Sequence, residues 1–336
     1  MLTEVKIHDI RRPGCDLADL RAKLIEDLRR PGSEKQIPSL LLWDEKGQEL
    51  FADITTAPEY YAYRAELSLL SQRAEGIAES VKPGTVILEL GAGNCKKTGV
   101  LLQALHRQRK PISYFALDVA SDSLIQSLAQ MSRFLGKSKY ISCQGLLGSY
   151  EDCLTFLNEE EGQKLLCIRN RHLLFLWLGN SITNMPWEDS VDIVRRMLWS
   201  SNSALLVSVD GNQNPQSIQM AYDMPDGKNR RFLRNGLTHA NLLLDEGVFN
   251  AGDWDLEAKW YAEDKEHRAY HVAKREISLT VDGNIVQIAK GEKIHAITSA
   301  KWTTEEVERL CEAAGVELEH SWIEPVYNFG CYLLGN

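Results

Sequence analysis

The stretch of the 336-residue chain richest in chemistry is VILELGAGNCKKT, residues 86–98, where an apolar run ends at a glycine-rich turn and a helical pattern follows. Gly91 and Gly93 permit a tight turn and let a ligand approach backbone N–H groups at a helix start. The third glycine of a dinucleotide fingerprint is replaced by Lys96. The form is E-x-G-x-G, opened by Glu89, which favours S-adenosylmethionine (SAM) over NAD because SAM brings no pyrophosphate that needs close helix packing. The next β-rich run ends in Asp118, 25 residues beyond Gly93, where an acid can hydrogen-bond ribose hydroxyls. The plainer reading is an ordinary glycine turn with a solvated aspartate.

A second cluster, LFLWLGNSITNMPWED, delivers Gly179, Asn180, Ser181, Thr183 and Asn184 just past an apolar strand. Ligands of open α/β sheets bind at that edge. Asn184 either holds a ligand's polar groups or caps the helix that starts near PWED. Aromatic residues are dense elsewhere, at Trp43, Phe51, Tyr60, Tyr61, Tyr63, Tyr222, Trp254, Trp260, Tyr261 and Tyr270. They read either as core or as lining for an apolar substrate, and Tyr270 counts among the substrate-binding candidates. His267 and His271 stand four apart, but no third ligand of suitable type accompanies them, so no metal is expected. There is no G-x-S-x-G elbow and no nucleophile–base pair.

The elements that must position these residues follow from periodicity. Residues 17–30 form an amphipathic helix stopped by Pro31-Gly32, and a long helix follows the loop-like PEYY, with Glu66, Leu67, Leu69, Leu70, Ile77 and Val81 marking it. From residue 84, β-rich runs (TVILEL, SYFALDV, YISCQGL, HLLFLWL, SALLVSVD) alternate with helical ones, the pattern of a parallel sheet with crossover helices. The fold class is therefore α/β, a Rossmann-like sheet with a second α+β domain. Residues 211–295 break the rhythm with a helical stretch over 216–244, the Trp-rich DWDLEAKWY and two antiparallel strands, 270–279 and 284–289, about Asp282-Gly283. TTEEVERLCEAAGV then reads as a helix with Glu306 placed for a capping box, and CYLLG as a returning strand. The expected division assigns 62–212 with 302–336 to a cofactor domain and 1–61 with 213–301 to a substrate domain.

Composition narrows the partners. Hydrophobic residues make up 44% and charged ones 25%, as in globular chains, and the net charge of −9 opposes non-specific binding to nucleic acid or anionic membranes. No apolar run approaches the ~20 residues that span a bilayer, and MLTEVKIHDIRRPG has no apolar core of a secretory signal. A cytoplasmic monomer acting on a small molecule is the expectation. Cysteines at 15, 95, 143, 153, 167, 311 and 331 include no C-x-x-C, so reduced, mostly buried thiols are expected.

The motifs together resemble the ergothioneine-pathway histidine α-N-methyltransferases and the fungal enzymes that methylate dimethylallyltryptophan. The likeness runs nearly the full chain, through LWDEKGQELFADITTAPEYYAYRAE, LELGAGNCKKT, FALDVASDSL, GLLGSYED, LWLGNSITN, SVDGNQNPQSIQMAYD, RFLRNGLTHAN and GEKIHAITSAKWT. VKIHDIRR and GSYED look closer to the fungal branch. The resemblance implies SAM as methyl donor, S-adenosylhomocysteine as product and a free amino acid as substrate. It implies that Tyr60 sits near the reacting amine and that Asn184 and Tyr222 hold the substrate carboxylate, with Trp43, Phe51, Gly179 and Ser181 lining the amino-acid pocket. On the cofactor side it implies Gly91 and Lys97 near the amino-acid moiety, Asp118 at the ribose, and Ser149 with Tyr150 at the adenine. One departure stands out. Where the histidine enzymes read E-x-S, this chain has Ile297 and Ser299, so the carboxylate that grips imidazole is missing, a loss of roughly 1.5–3 kcal/mol for a polar ring. An indole or prenylated indole suits Ile297 better. Histidine as substrate, methylation of a hydroxyl or an indole nitrogen, and a non-catalytic SAM-binding role are the alternatives.

Overall fold

The computed structural model describes residues 5–12, 16–136, 138–168, 171–245, 247–281 and 283–336. Cys15 and Asp282, singled out above, lie outside the described residues. The chain divides into two compact units, one of residues 5–11, Tyr61–Asn212 and Lys301–Asn336, the other of Arg12–Tyr60 and Gln213–Ala300.

The first unit holds a sheet of strands β1 (Ile7–Asp9), β2 (Val86–Leu90), β3 (Ile112–Asp118), β4 (Ile141–Leu147), β5 (Leu173–Trp177), β6 (Ser203–Asp210), β12 (Glu317–Glu324) and β13 (Phe329–Gly335). Their spatial order is β1-β4-β3-β2-β5-β6-β13-β12, parallel from β1 to β6 and antiparallel through β13 and β12. Strands β2, β5, β6 and β13 are buried along their whole length, which is why they read as mostly apolar runs rather than strict alternations. Helices α3 (Tyr61–Ser80), α4 (Lys96–Arg107), α5 (Ser121–Leu135), α6 (Tyr150–Asn158), α7 (Glu160–Leu166), α8 (Trp187–Met197) and α11 (Thr304–Ala314) complete the unit. Strand order reverses at β2, whose neighbours are β3 and β5, so the turns leaving β2 and β5 flank the switch point where such sheets bind ligands.

The expected assignment of residues 1–61 to the other domain needs correction. Residues 7–9 pair in parallel with Gly145–Leu147 of β4, and Ile7 fills the space left by Gly145, where a Cβ would lie 2.4 Å from Ile7 Cδ1. Tyr61 and Lys301 also belong to this unit. Helices α6 and α7 and strands β11 and β12 go beyond the sequence reading, whereas the Thr303–Glu306 capping box of α11 forms as expected.

The second unit contains helices α1 (Asp16–Leu28), α2 (Glu45–Ile54), α9 (Pro215–Tyr222) and α10 (Lys228–Leu244). Strands β7 (Trp254–Tyr261), β8 (Glu266–Ala273) and β11 (Lys293–Ala300) form an antiparallel sheet in the order β11-β8-β7, and β9 (Ile277–Val281) pairs with β10 (Asn284–Ile288). Leu24, Leu28, Leu41, Leu237, Leu244, Trp254 and Ile294 belong to its core. The single helix expected over 216–244 is two, because Pro225 and Gly227, at φ 70°, break it. The strand expected over 270–279 is also two, β8 and β9, with different partners. Among the described residues no helix is long and apolar enough to cross a membrane and no cluster of metal-ligating side chains occurs. Cys95, Cys153, Cys311 and Cys331 are buried free thiols, while Cys167 is exposed.

Candidate active site

In the first unit the turn after β2 is held from below and from the side. Glu89 is 3% exposed and accepts hydrogen bonds from the Thr98 and Tyr114 hydroxyls. Burial pushes its carboxyl up to about 7, against the pull of those two bonds and of Lys97. Both carboxylate oxygens of Glu89, expected on the cofactor side, are thus engaged by side chains of α4 and β3. Gly93 N–H donates to Asp118 Oδ2 at 2.8 Å, and Asp118 Oδ1 accepts from Val119 N at 2.8 Å and Ala120 N at 3.2 Å. Motif glycine and motif acid are therefore in direct contact. Gly91 takes φ 62°, and a Cβ there would lie 2.9 Å from the Tyr150 hydroxyl. Tyr150 packs edge-on against Trp177, their centroids 5.1 Å apart, and burial raises its phenol to about 12 despite a hydrogen bond with Ser181. Ser149, expected at the adenine, is the N-cap of α6 in a capping box with Asp152, so its side chain is engaged in starting the helix.

The turn after β5 is built from Gly179 at φ 87° and Asn180 at φ 63°. Asn180 donates to Thr183 Oγ1 and accepts from Asp210 N, both at 2.8 Å, and Ser181 Oγ accepts from Trp177 Nε1 at 2.8 Å. Asn184 ends a 3-10 turn, Ser181–Asn184, and is half-buried. It does not cap α8, whose N-cap is Pro186 with no side-chain cap, so the capping alternative falls away. Gly179 N–H donates to Glu66 Oε1 at 2.7 Å and to Ser208 Oγ at 3.0 Å. Lys97 Nζ lies 2.6 Å from Glu66 Oε2. Glu66, expected only as a marker of an amphipathic helix, is the functional candidate that sequence reasoning passed over. Its signal was an acid inside the buried stripe of α3.

In the second unit the rings named by the resemblance do meet. Trp43 contacts Phe51 and Phe232, each with centroids 5.1 Å apart, and Phe51 lies 6.0 Å from Tyr60. Tyr60 lies 6.1 Å from Tyr222 at 89°, and Tyr222 stacks on His267 at 4.2 Å and 18°. The Tyr222 hydroxyl and Ser299 Oγ are 3.0 Å apart. The cluster adds Phe232, from RFLRNGLTHAN, and His267, which serves as a stacking partner rather than a metal ligand.

Tyr270 is not part of it. Along β8, His267, Ala269, His271 and Ala273 are buried on one face, and Tyr270 points to the other with Arg268. It stands edge-on to His295 at 5.5 Å and carries Lys293 Nζ at 5.6 Å from its ring. Tyr270, expected to bind substrate, thus lies on the strand face opposite the buried His267 and Ala269. A bulge at Ala296 matters equally. The β11 register slips between His295 and Ile297, so Ile297 opposes Ala269 and Ser299 opposes His267, while His295 stays opposite Tyr270. Ile297 and Ser299 thus share the face of Tyr222's neighbour His267.

Comparison with known proteins identifies the family of the chain. A family model described as "Histidine-specific methyltransferase, SAM-dependent" matches residues 20–336. The chain belongs to that family. It is similar to N-methyltransferase imqF of Aspergillus flavus, 36% identical over 97% of this chain and 87% of the relative. Ergothioneine biosynthesis protein 1 of Neurospora crassa is 32% identical over 94% of this chain and 35% of that longer protein. 4-Dimethylallyltryptophan N-methyltransferase easF of Aspergillus fumigatus is 27% identical over 98% and 96%. The protein is a SAM-dependent N-methyltransferase with a Rossmann-like sheet.

The residues of the first unit fit the methyltransferase's donor. The turn at Gly91 has no room for a side chain, Asp118 ends the adjacent strand with its carboxylate pinned at the turn, and Tyr150 supplies a ring beside both. Gly91, Gly93, Lys97, Asp118 and Tyr150 are the residues that would hold it.

Proposed function

We propose that this methyltransferase acts on the α-amino group of a free aromatic or hydrophobic amino acid, foremost a tryptophan derivative such as 4-dimethylallyltryptophan, in fungal-type secondary metabolism. The observation that carries the reading is Ile297, an apolar side chain on the Ser299 face where the histidine enzymes have a carboxylate, in the unit whose rings run from Trp43 to Tyr222. Such a lining favours an indole by burial of its rings and offers imidazole no charged partner.

SAM supplies an electrophilic methyl group when bound, and S-adenosylhomocysteine is the product. Asn184 and Tyr222 hold the substrate carboxylate by hydrogen bonds, which fixes the α-carbon. Tyr60 orients the amine, directly or through water, and assists loss of the proton that an α-ammonium must shed before its nitrogen has a lone pair. Trp43, Phe51 and Phe232 exclude water from the side chain's neighbourhood.

The test is mass spectrometry of SAM-dependent products with tryptophan, 4-dimethylallyltryptophan and histidine, with fragmentation to locate the methyl. Label on the α-nitrogen of an indole amino acid is expected. Preferential methylation of histidine overturns the reading.

A further inference from the structure

One carboxylate in the first unit gathers donors from three separate elements. Glu66, on α3, is 1% exposed. Its Oε2 accepts from Lys97 Nζ at 2.6 Å, and its Oε1 accepts from Gly179 N at 2.7 Å and Ser208 Oγ at 2.5 Å. Lys97 lies in the first turn of α4, directly behind the glycine turn. Gly179 opens the turn that ends at Asn184. We propose that Glu66 is a positioning residue that sets the cofactor-side turn and the substrate-side turn with a single charge, the second half resting on the role of Asn184 given above.

Burying a carboxylate is costly unless its donors stay in place, so every donor to Glu66 is held by the requirement that the others impose. Sterics join the two arms a second time. Gly179 takes φ 87°, and a Cβ there would stand 3.0 Å from Lys97 Nζ. The ammonium occupies space that any larger residue at 179 would claim, so the Lys97 position and the glycine at 179 depend on each other.

Glu66→Gln separates the arms. Glutamine keeps an oxygen for Gly179 and Ser208 but turns an amide N–H toward Lys97, setting donor against donor. Calorimetric titration of the full chain with SAM alone reads the first arm. Glu66→Gln and Lys97→Met are each expected to weaken SAM about tenfold, and the double variant to be no weaker than Lys97→Met, because the Glu66 effect passes through Lys97. Additive losses, or a lower melting temperature with unchanged SAM affinity, overturn the proposal. This measurement needs no second substrate, so it gives its answer even if the amino-acid assignment fails. Steady-state kinetics at saturating SAM read the second arm. Glu66→Gln is expected to raise the amino-acid KM about fivefold and Ser208→Ala to raise it less, by the loss of one donor. An unchanged amino-acid KM confines Glu66 to the cofactor side and overturns the coupling.

Discussion

The two units are built from opposite materials around their candidate residues. In the first, Glu66, Glu89, Asp118 and Asn180 are acceptors and donors whose bonds fix two turns at the edge of a buried sheet. In the second, ring follows ring from Trp43 to His267, with the Tyr222–Ser299 pair as a polar contact among them. Directional bonds tolerate little exchange, since removing one partner leaves a buried group unsatisfied. Apolar faces tolerate exchange of similar volume. The difference teaches that the first unit's turns are fixed by polar geometry, whereas the second unit's ring cluster can change through single apolar positions; on the roles proposed above, that puts donor binding under the tighter constraint.

The sharpest way to break this comparison is pH, because the two units bury groups of opposite sense. Glu89 is raised to about 7, so between about 4.5 and 7 the folded chain keeps a proton that the unfolded chain releases. Stability therefore falls as pH rises through that window, and Glu89→Gln should recover up to about 3 kcal/mol above it. In the second unit, burial lowers His271 to about 3 and His295 to about 4. There the unfolded chain takes up protons below 6.5 that the folded chain refuses, so stability falls as pH drops, by ~2 kcal/mol per histidine at pH 5. The windows overlap between about 4.5 and 6.5, where two histidines outweigh one carboxyl, so denaturant unfolding from pH 8 to 5 should show stability falling toward pH 5. Glu89→Gln removes the opposing contribution and should steepen that fall, and an unchanged profile would contradict the assignment.

Next in size, Tyr222→Phe should raise the amino-acid KM by roughly 10- to 100-fold, the worth of a hydrogen bond to a carboxylate, and leave SAM affinity within about twofold. Equal losses for both ligands would contradict the carboxylate role. Ile297→Glu should shift the ratio of kcat/KM for histidine over tryptophan about tenfold toward histidine, with SAM affinity held. The smallest effect is expected from Tyr270→Phe. Since its ring faces away from Ser299 and Ile297, turnover should stay within about twofold of the parent, and a larger loss would show that the face assignment fails to predict function.

What was legible in the sequence was local. Gly91, Gly93 and Asp118 follow one another through a strand, a turn and the next strand, so their meeting was readable from order alone. Trp43, Phe51, Tyr60 and Tyr222 came from resemblance, and the geometry joins them. Phe232 and His267 were hidden because the contacts that enlist them span long separations: Phe232 to Trp43, and His267 to Tyr222. Glu66 was hidden because an acid on a helix normally signals the solvated face, and here its partners come from α4, β6 and the turn after β5. The face of Tyr270 was not legible because composition says nothing of face, and the bulge at Ala296 has no signature in IHAITSAKW. The capping role of Ser149 was not legible because a capping serine and a ligand-binding serine look alike until Asp152 is seen to answer it.

The interleaving of the units also governs their order of manufacture. Segment 12–60 of the second unit leaves the ribosome before most of the first, and its remainder, 213–300, separates β6 from β13, its hydrogen-bonded neighbour. Neither unit can finish its core while its own residues alone have emerged, so their folding is interlocked during synthesis. No single cut in the gene yields either unit whole. Dissecting this enzyme into its two units therefore requires rejoining distant segments, and on the substrate role proposed for the Ile297 face, point changes on that strand face suit an exchange of preference better than swapping a contiguous block.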